Sequence, residues 1–457
     1  MKQHPALVPP VSEQCEERPA GSIARKSFET LLTRTAIQAF GLIGNVIIAR
    51  TIGPYGKGIF TYADSILLGL MRLSAGQSGS VSLQYGRKRQ PGWLVYAAML
   101  RVLAWYCVPI TVALTAVAIA VPSQRVLISV ACAAPFVIYT QLASGVFLAA
   151  GNVRNINIQQ AIRTAGLTVL IIPLLWYAHL GINALLITWV MLAVITGFYA
   201  AFTLRRYVGV RPPQASEASI FREQFTYGLR MAGNSVVAYL NFRIDVFIIL
   251  NVLGPKALGI YSIGIGFGEL MWALSRPLQQ AAFGRIGTSG PKEAARITAK
   301  GMRHSIAMVG VVSVLVFFFA PTLVTLMYGK AFAASGIIVR LLLPGMIAYS
   351  AMPMLNTFFN QQLGNPNIPL TFTSISTVIC ASITLLTIHR FGIAAGAIAT
   401  SASYVTAFAL ATAYFVRKTG TPLRSIFIFD ADDLRHYHHL LSDMWIKALR
   451  LVPRRRA

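Results

Sequence analysis

The sequence predicts an all-α polytopic membrane protein, a class set by three observations. The 457 residues are 55% hydrophobic and only 12% charged, whereas soluble domains carry about 25% charged residues. Apolar runs recur from end to end, each near the ~20 residues that cross a bilayer as a helix. The ~10-residue segments of alternating polarity that mark a transmembrane barrel do not occur. With a mean hydropathy of +0.62, a chain of this length cannot hide its apolar surface in one water-soluble core.

Residues 1–27 are polar, with Glu13, Glu16 and Glu17 and no apolar core. They fit neither a signal peptide nor a transit peptide and read as a flexible cytoplasmic extension. Twelve apolar segments follow. The first six span about 29–49, 59–79, 94–121, 126–149, 156–178 and 182–204. The second six span about 226–252, 258–282, 303–328, 336–360, 368–388 and 393–416. Two six-helix bundles, 28–206 and 226–417, are thus expected on either side of a basic linker, 207–225, that contains Pro212-Pro213.

Lys+Arg number 40 against 14 Asp+Glu, a net charge of +26. In a soluble protein this excess would point to nucleic acid. Here most basic residues lie between apolar runs, where membrane topology and anionic headgroups account for them, and no nucleic-acid partner is expected. One set of loops holds Arg87-Lys88-Arg89, Arg154, Arg205-Arg206, Arg211, Arg222, Arg285, Lys292, Arg296, Lys300 and Arg303. The alternate loops hold only Lys57, Arg125, His179, Lys256, Lys330 and Arg390. The basic set is expected in the cytoplasm, and an even helix count then places both termini there. The alternate loops are short, which argues against an external catalytic domain. Of the cysteines Cys15, Cys107, Cys132 and Cys380, three lie in apolar runs and none forms a CxxC pair, so neither a disulfide framework nor a metal site is indicated.

The two halves share landmarks in the same order. Thr51-Ile52-Gly53-Pro54 with Gly58-Ile59-Phe60 matches Leu253-Gly254-Pro255 with Gly259-Ile260-Tyr261. Gly151-Asn152 matches Gly364-Asn365, and Leu180-Gly181-Ile182 matches Phe391-Gly392-Ile393. Such an internal repeat predicts two parallel halves related by an axis along the membrane normal, with binding sites between them. The tail, 418–457, has a different composition. Asp430 can cap a helix whose Leu434, Leu441, Met444, Trp445 and Leu449 recur at helical spacing, and Arg454-Arg455-Arg456 make its end basic. This reads as an amphipathic helix on the inner leaflet. The His436, His438, His439 cluster lacks a carboxylate or cysteine set to complete a metal site.

Charges inside apolar helices are costly and mark function by default. Arg101, Arg163, Arg230 and Arg340 lie near helix ends, where their stems can snorkel. Arg34 sits near a similar end but joins the candidate binding set. Arg243 and Asp245 fall mid-segment and, spaced i and i+2, point about 200° apart. Each therefore needs a partner from elsewhere in the fold. Asn234, Asn241 and Asp245 share one face; Glu269, Trp272 and Arg276 align on the next segment; Asp64 and Arg72 lie two turns apart on segment two. The bland alternative is mutual neutralisation between helices. The functional alternative is a hydrated cationic cavity, in which Arg offers planar donors that suit phosphate oxygens. The acids would then titrate or hold a cation, coupling transport to an H+ or Na+ gradient.

The Thr51–Pro54 and Leu253–Pro255 motifs, with Asn241, Arg243, Asp245, Gly364-Asn365 and the Gly392–Tyr404 run, resemble the polysaccharide or lipid-linked oligosaccharide flippases. That family belongs to the superfamily that includes multidrug and toxin extrusion transporters and the peptidoglycan lipid flippase. The resemblance covers about residues 28–417. It implies a V-shaped alternating-access transporter of twelve helices in a bacterial inner membrane, not an enzyme and without a resident cofactor. Its implied cargo is an undecaprenyl-pyrophosphate-linked oligosaccharide for O-antigen, capsule or exopolysaccharide. The implied partners are membrane lipids and the polysaccharide polymerase and chain-length machinery. Arg243 is assigned to the headgroup, followed by Arg34, Arg72 and Arg276, with Asn241, Asp245, Glu269 and Asp64 in the same site. A drug/cation antiporter using Asp245 or Glu269 is the first alternative. A membrane-embedded polymerase or ligase is the second, although the long outer loop that carries such catalysis is missing.

Overall fold

The computed structural model describes residues 20–177, 180–209 and 218–429. The expected tail helix with its histidines, Pro212-Pro213, Arg211, His179 and most of the N-terminal extension lie outside the described residues. Within them the chain is helical throughout: α1 (Ala20–Ser82), α2 (Gly92–Ala120), α3 (Leu127–Ala149), α4 (Val153–Ile171), α5 (Ile182–Val208), α6 (Ala218–Thr288) and α7 (Pro291–Tyr328) come first. They are followed by α8 (Ser335–Tyr349), α9 (Met352–Thr357), α10 (Asn367–Phe391), α11 (Ile393–Thr419) and the short α12 (Arg424–Phe427). Among the described residues, nine helices are long and apolar enough to cross a membrane. The protein is a multi-pass membrane protein.

Two of those spans each hold two helices. At the predicted breaks, Gly53-Pro54 and Gly254-Pro255, the backbone leaves helical conformation, so α1 and α6, which run 63 and 71 residues, are each a pair of helices joined across a kink. Gly53 (φ 67°, ψ −176°) and Gly254 (φ 82°, ψ 177°) sit in backbone territory that only glycine occupies readily. The following proline then restarts the helix at a position where its missing N–H costs nothing. At ~1.5 Å per residue, the apolar stretches Thr35–Arg87 and Ile220–Thr288 are each more than twice the ~30 Å of a hydrocarbon core. The predicted loop 283–302 is likewise helical apart from Ser289-Gly290, because Pro291 opens α7 directly. Arg303, expected in that loop, is buried in α7 and donates to the carbonyls of Ser425 (3.1 Å) and Ile428 (2.7 Å). Its guanidinium pins the segment around α12.

The Gly-Asn landmarks also share a mechanism. Gly151 (φ 68°) and Gly364 (φ 60°) both turn left-handed. Asn152 Oδ1 then accepts from Asn155 N–H and caps α4, whereas Asn365 Oδ1 accepts from Asn367 N–H in the turn that leads into α10. The third landmark departs from this parity, since Gly181 has φ −74° and Gly392 φ 57°.

The chain divides into two compact units, 1–51 with 73–232, and 52–72 with 233–457. The second limb of α1 as far as Arg72 therefore belongs to the second unit. The core of the first unit is built from Val95, Met99, Ile138, Leu142, Phe147 and Leu204. That of the second centres on Val246, Ile249, Tyr261, Leu342, Met346 and Phe415. Large apolar side chains such as Trp105, Phe198, Phe202, Phe318 and Leu386 point outward, as bilayer-facing surfaces require. Arg340 on α8 is explained by its neighbour: Pro321 in α7 removes the N–H that would pair with Phe317 O, and Arg340 Nε donates to that carbonyl at 2.7 Å. It is a structural arginine rather than a free cation.

Candidate functional site

Seven of the eight expected site residues fall in the second unit. Arg34 lies on α1 in the first, and its side chain is outside the described residues. Within the second unit, α6 carries Asn241, Arg243 and Asp245 on one limb and Glu269 and Arg276 on the other. The 52–72 limb of α1 adds Asp64 and Arg72.

Helix geometry separates Arg243 from Asp245, and each has a distinct partner. Arg243 forms an ion pair with Glu269, across the kink from it. The Arg243 side chain is 13% exposed and that of Glu269 50%, so the pair faces open space from its acidic side. Asp245 is buried and accepts from Val246 N–H (2.8 Å), Thr400 Oγ1 (3.1 Å) and the Tyr261 hydroxyl. Three neutral donors satisfy this carboxylate. Asn241 is buried beside it, with Nδ2 3.5 Å from the Tyr349 hydroxyl and Oδ1 3.5 Å from Thr377 Oγ1. The Tyr404 hydroxyl donates to the Asn241 carbonyl at 3.4 Å.

Glu269 and Trp272, one turn apart on α6, join Phe242, Asp245, Thr400 and Tyr404 around a small cavity of about 20 Å³. That is room for one water-sized group. Its wall is aromatic: Phe242 and Trp272 rings stand 4.5 Å apart and Tyr349 and Tyr404 4.3 Å. The polar face predicted for segment seven is therefore only partly open. Asn241 and Asp245 are locked into the packing, whereas Glu269 is accessible.

The cations gather on the other side. Arg72 and Arg276 are exposed and close enough to feel each other's charge and that of Arg243. Asp64, half-buried, acts electrostatically on Arg243 and on Lys57. Lys57 was expected in a loop. It is instead buried on α1, its Nζ 5.7 Å from the Phe60 ring, within the field of Asp64, Glu269 and Arg243. The spacing of seven residues to Asp64 is the sequence signal for it, since both then share one helix face. Tyr239 is a second unforeseen member, its hydroxyl donating to Ser65 O and its ring packed on Gly69. The site thus combines three arginines and a lysine with three carboxylates, Asp64, Asp245 and Glu269, an excess of one positive charge. Among the described residues no three His, Cys, Asp or Glu side chains are placed to hold a metal.

Residues 23–282, more than half of the chain, match the family described as Polysaccharide biosynthesis protein. The chain belongs to that family. Its second part, residues 285–454, matches the family described as Lipid II flippase MurJ.

Solved structures agree on the fold. The inward closed conformation of lipid II flippase MurJ is similar with a TM-score of 0.71 at 11% identity, over 87% of this chain and 89% of that one. An inward-facing multidrug resistance MATE transporter of the MOP superfamily gives a TM-score of 0.68 at 15% identity, over 85% and 98%. A MOP superfamily transporter from Pyrococcus furiosus, described as having a binding pocket of reverse polarity, gives 0.58 at 15% identity, over 87% and 95%. No curated protein sequence matches the chain. The chain therefore shares an all-helical polytopic architecture with MATE and MurJ proteins, and the charged cluster described above lies within it.

Proposed function

We propose that the protein is a flippase that moves an undecaprenyl-pyrophosphate-linked oligosaccharide from the cytoplasmic to the periplasmic leaflet of a bacterial inner membrane. The observation that carries this reading is the gathering of Arg243, Arg72, Arg276 and Lys57 with fewer acids in one unit. Guanidinium groups bind phosphate oxygens through paired, charge-assisted hydrogen bonds and stay charged at any physiological pH. A pyrophosphate held there leaves its lipid tail in the bilayer and its sugar in a hydrated space. Arg243 would exchange Glu269 for the pyrophosphate, and the accessible carboxylate would then take solvent or a coupling H+ or Na+. The lipid II flippase named among the matches supports a lipid-linked cargo, and membership of a polysaccharide biosynthesis family supports a glycan on it.

In this reading α1 and α6 each cross twice and α4 once, which with the other long helices makes twelve crossings. They form two six-helix bundles, 28–206 and 226–417, of a V-shaped alternating-access transporter. The basic loops and both termini face the cytoplasm, and a polymerase with its chain-length machinery receives the flipped repeat unit.

Buried Asp245 and the aromatic cavity favour a second reading, a multidrug/cation antiporter with the carboxylate as ion site. Deletion separates the two. The flippase reading expects completed lipid-linked repeat units to accumulate while surface polysaccharide is lost, both measured by mass spectrometry of extracted lipids and glycans. Intact polysaccharide together with raised drug sensitivity would replace it with the antiporter.

A further inference from the structure

We propose that Gln77, Gln84 and Gln224 form a seam that recognises the hydroxyl groups of the cargo's sugar, an inference that rests on the flippase reading above. All three lie in the first unit, apart from the charged cluster, and all three are 0% exposed. They sit where the end of α1, continued by a π-turn over Leu83–Arg87, meets the start of α6.

The contacts along this seam run antiparallel. A Cβ on Gly76 would lie 2.4 Å from both Gly228 O and Ala232 N, so the two backbones touch there. Gln77 Nε2 donates to Phe225 O and to the Tyr106 hydroxyl, each at 3.1 Å. About three turns further on, Lys88 pairs with Glu223 at the far end. Gln84 lies one turn before Lys88, with its amide beside Glu223, and Gln224 follows Glu223.

Between the glycine contact and the ion pair, Gln77 Oε1, Gln84 Oε1 and both polar atoms of Gln224 make no hydrogen bond. A buried amide left unpaired loses its hydration with nothing in return. One such atom is common, but four on two facing helices make a buried polar seam that a polar ligand would satisfy where the helices part. The chemistry of that ligand follows from the groups. Three carbonyl oxygens and one amide are neutral and rich in acceptors, and the nearby cation, Lys88, is already paired with Glu223. Phosphate needs several donors and finds only the Gln224 amide free here; an alkyl chain gains nothing from amides. Neighbouring hydroxyls both donate to Oε1 and accept from Nε2, so a polyol fits.

The test is equilibrium binding by the full chain in lipid nanodiscs, with undecaprenyl pyrophosphate and undecaprenyl-pyrophosphoryl-N-acetylglucosamine as probes. The wild type should prefer the glycosylated lipid by about tenfold, the worth of one or two net hydrogen bonds. Q84L/Q224L should reduce that preference below about twofold while leaving affinity for the bare pyrophosphate unchanged. Q224L alone, which removes no protein hydrogen bond, should give an intermediate preference and melt no lower than the wild type. If the double variant keeps the wild-type preference, the amides serve only helix packing or hydration and the inference falls, with the flippase reading intact. A wild type that binds both probes equally also overturns it. A wild type that binds neither probe overturns the flippase reading and this inference together.

Discussion

Replacing Arg243 with Ala is expected to reduce export of the lipid-linked saccharide by about 10- to 100-fold, the worth of one charge-assisted hydrogen-bonded contact. The change removes the least exposed arginine of the cluster and leaves Glu269 without its partner. The remaining Arg72 and Arg276 are exposed and repel each other, so they cannot converge on a pyrophosphate as effectively. Arg243→Lys should recover part of the activity, because it restores charge but not the planar fork. Protein level and insertion should remain at wild-type values, since Glu269, which loses its partner, is half exposed and stays solvated. Lipid-linked sugar measured in membrane extracts would rise in the alanine variant. Normal surface polysaccharide at wild-type protein levels would remove Arg243 from the site.

The second large effect is on stability, at the point where the two Gly-Pro motifs meet within the second unit. A Cβ on Gly58 would stand 1.8 Å from Pro255 O, and one on Gly259 1.8 Å from Pro54 O. These are reciprocal contacts in which each glycine's Cα faces the other motif's carbonyl, an arrangement that Cα–H···O bonding favours. The obstructing atoms are backbone, so no rotamer change relieves the clash. Gly58→Ala or Gly259→Ala should each cost about 1–3 kcal/mol, the usual range for overpacking, and lower the melting temperature of the detergent-solubilised protein by several degrees. The double variant should lose less than the sum of the two, because one separation of the helices accommodates both methyl groups. Two fully additive losses, or none, would contradict the close crossing.

Much of this architecture was legible in the sequence because membrane helices leave a direct record in apolar runs. The ends of α2, α3, α5, α10 and α11 fall within a few residues of the apolar boundaries. The Gly-Pro breaks in α1 and α6 were legible as well, while their geometry was not: the backbone at Gly53 and Gly254 makes each a kink between two helices rather than a loop.

In the site, the divergence of Arg243 and Asp245 followed from helix geometry alone. Their partners did not: Thr400 is 155 residues from Asp245 in the chain, and only tertiary packing brings them together. Lys57 was missed because the kink was taken for a loop, which would have placed it in water. Arg340 shows the converse case, a charge in an apolar run whose role is fixed by the carbonyl that a neighbouring proline leaves unpaired. The buried glutamines carry no charge and do not stand out in a composition. Their significance depends on which atoms find partners, which only the folded chain reveals.

The most direct test of the central claim is transbilayer movement in liposomes holding the purified full chain. Undecaprenyl-pyrophosphate-linked sugar is placed in one leaflet, and its appearance in the other is followed with a membrane-impermeant glycan-modifying reagent. The account predicts movement well above that in protein-free vesicles, falling by about 10- to 100-fold with Arg243→Ala. Wild-type vesicles that move the lipid no faster than protein-free ones would contradict it.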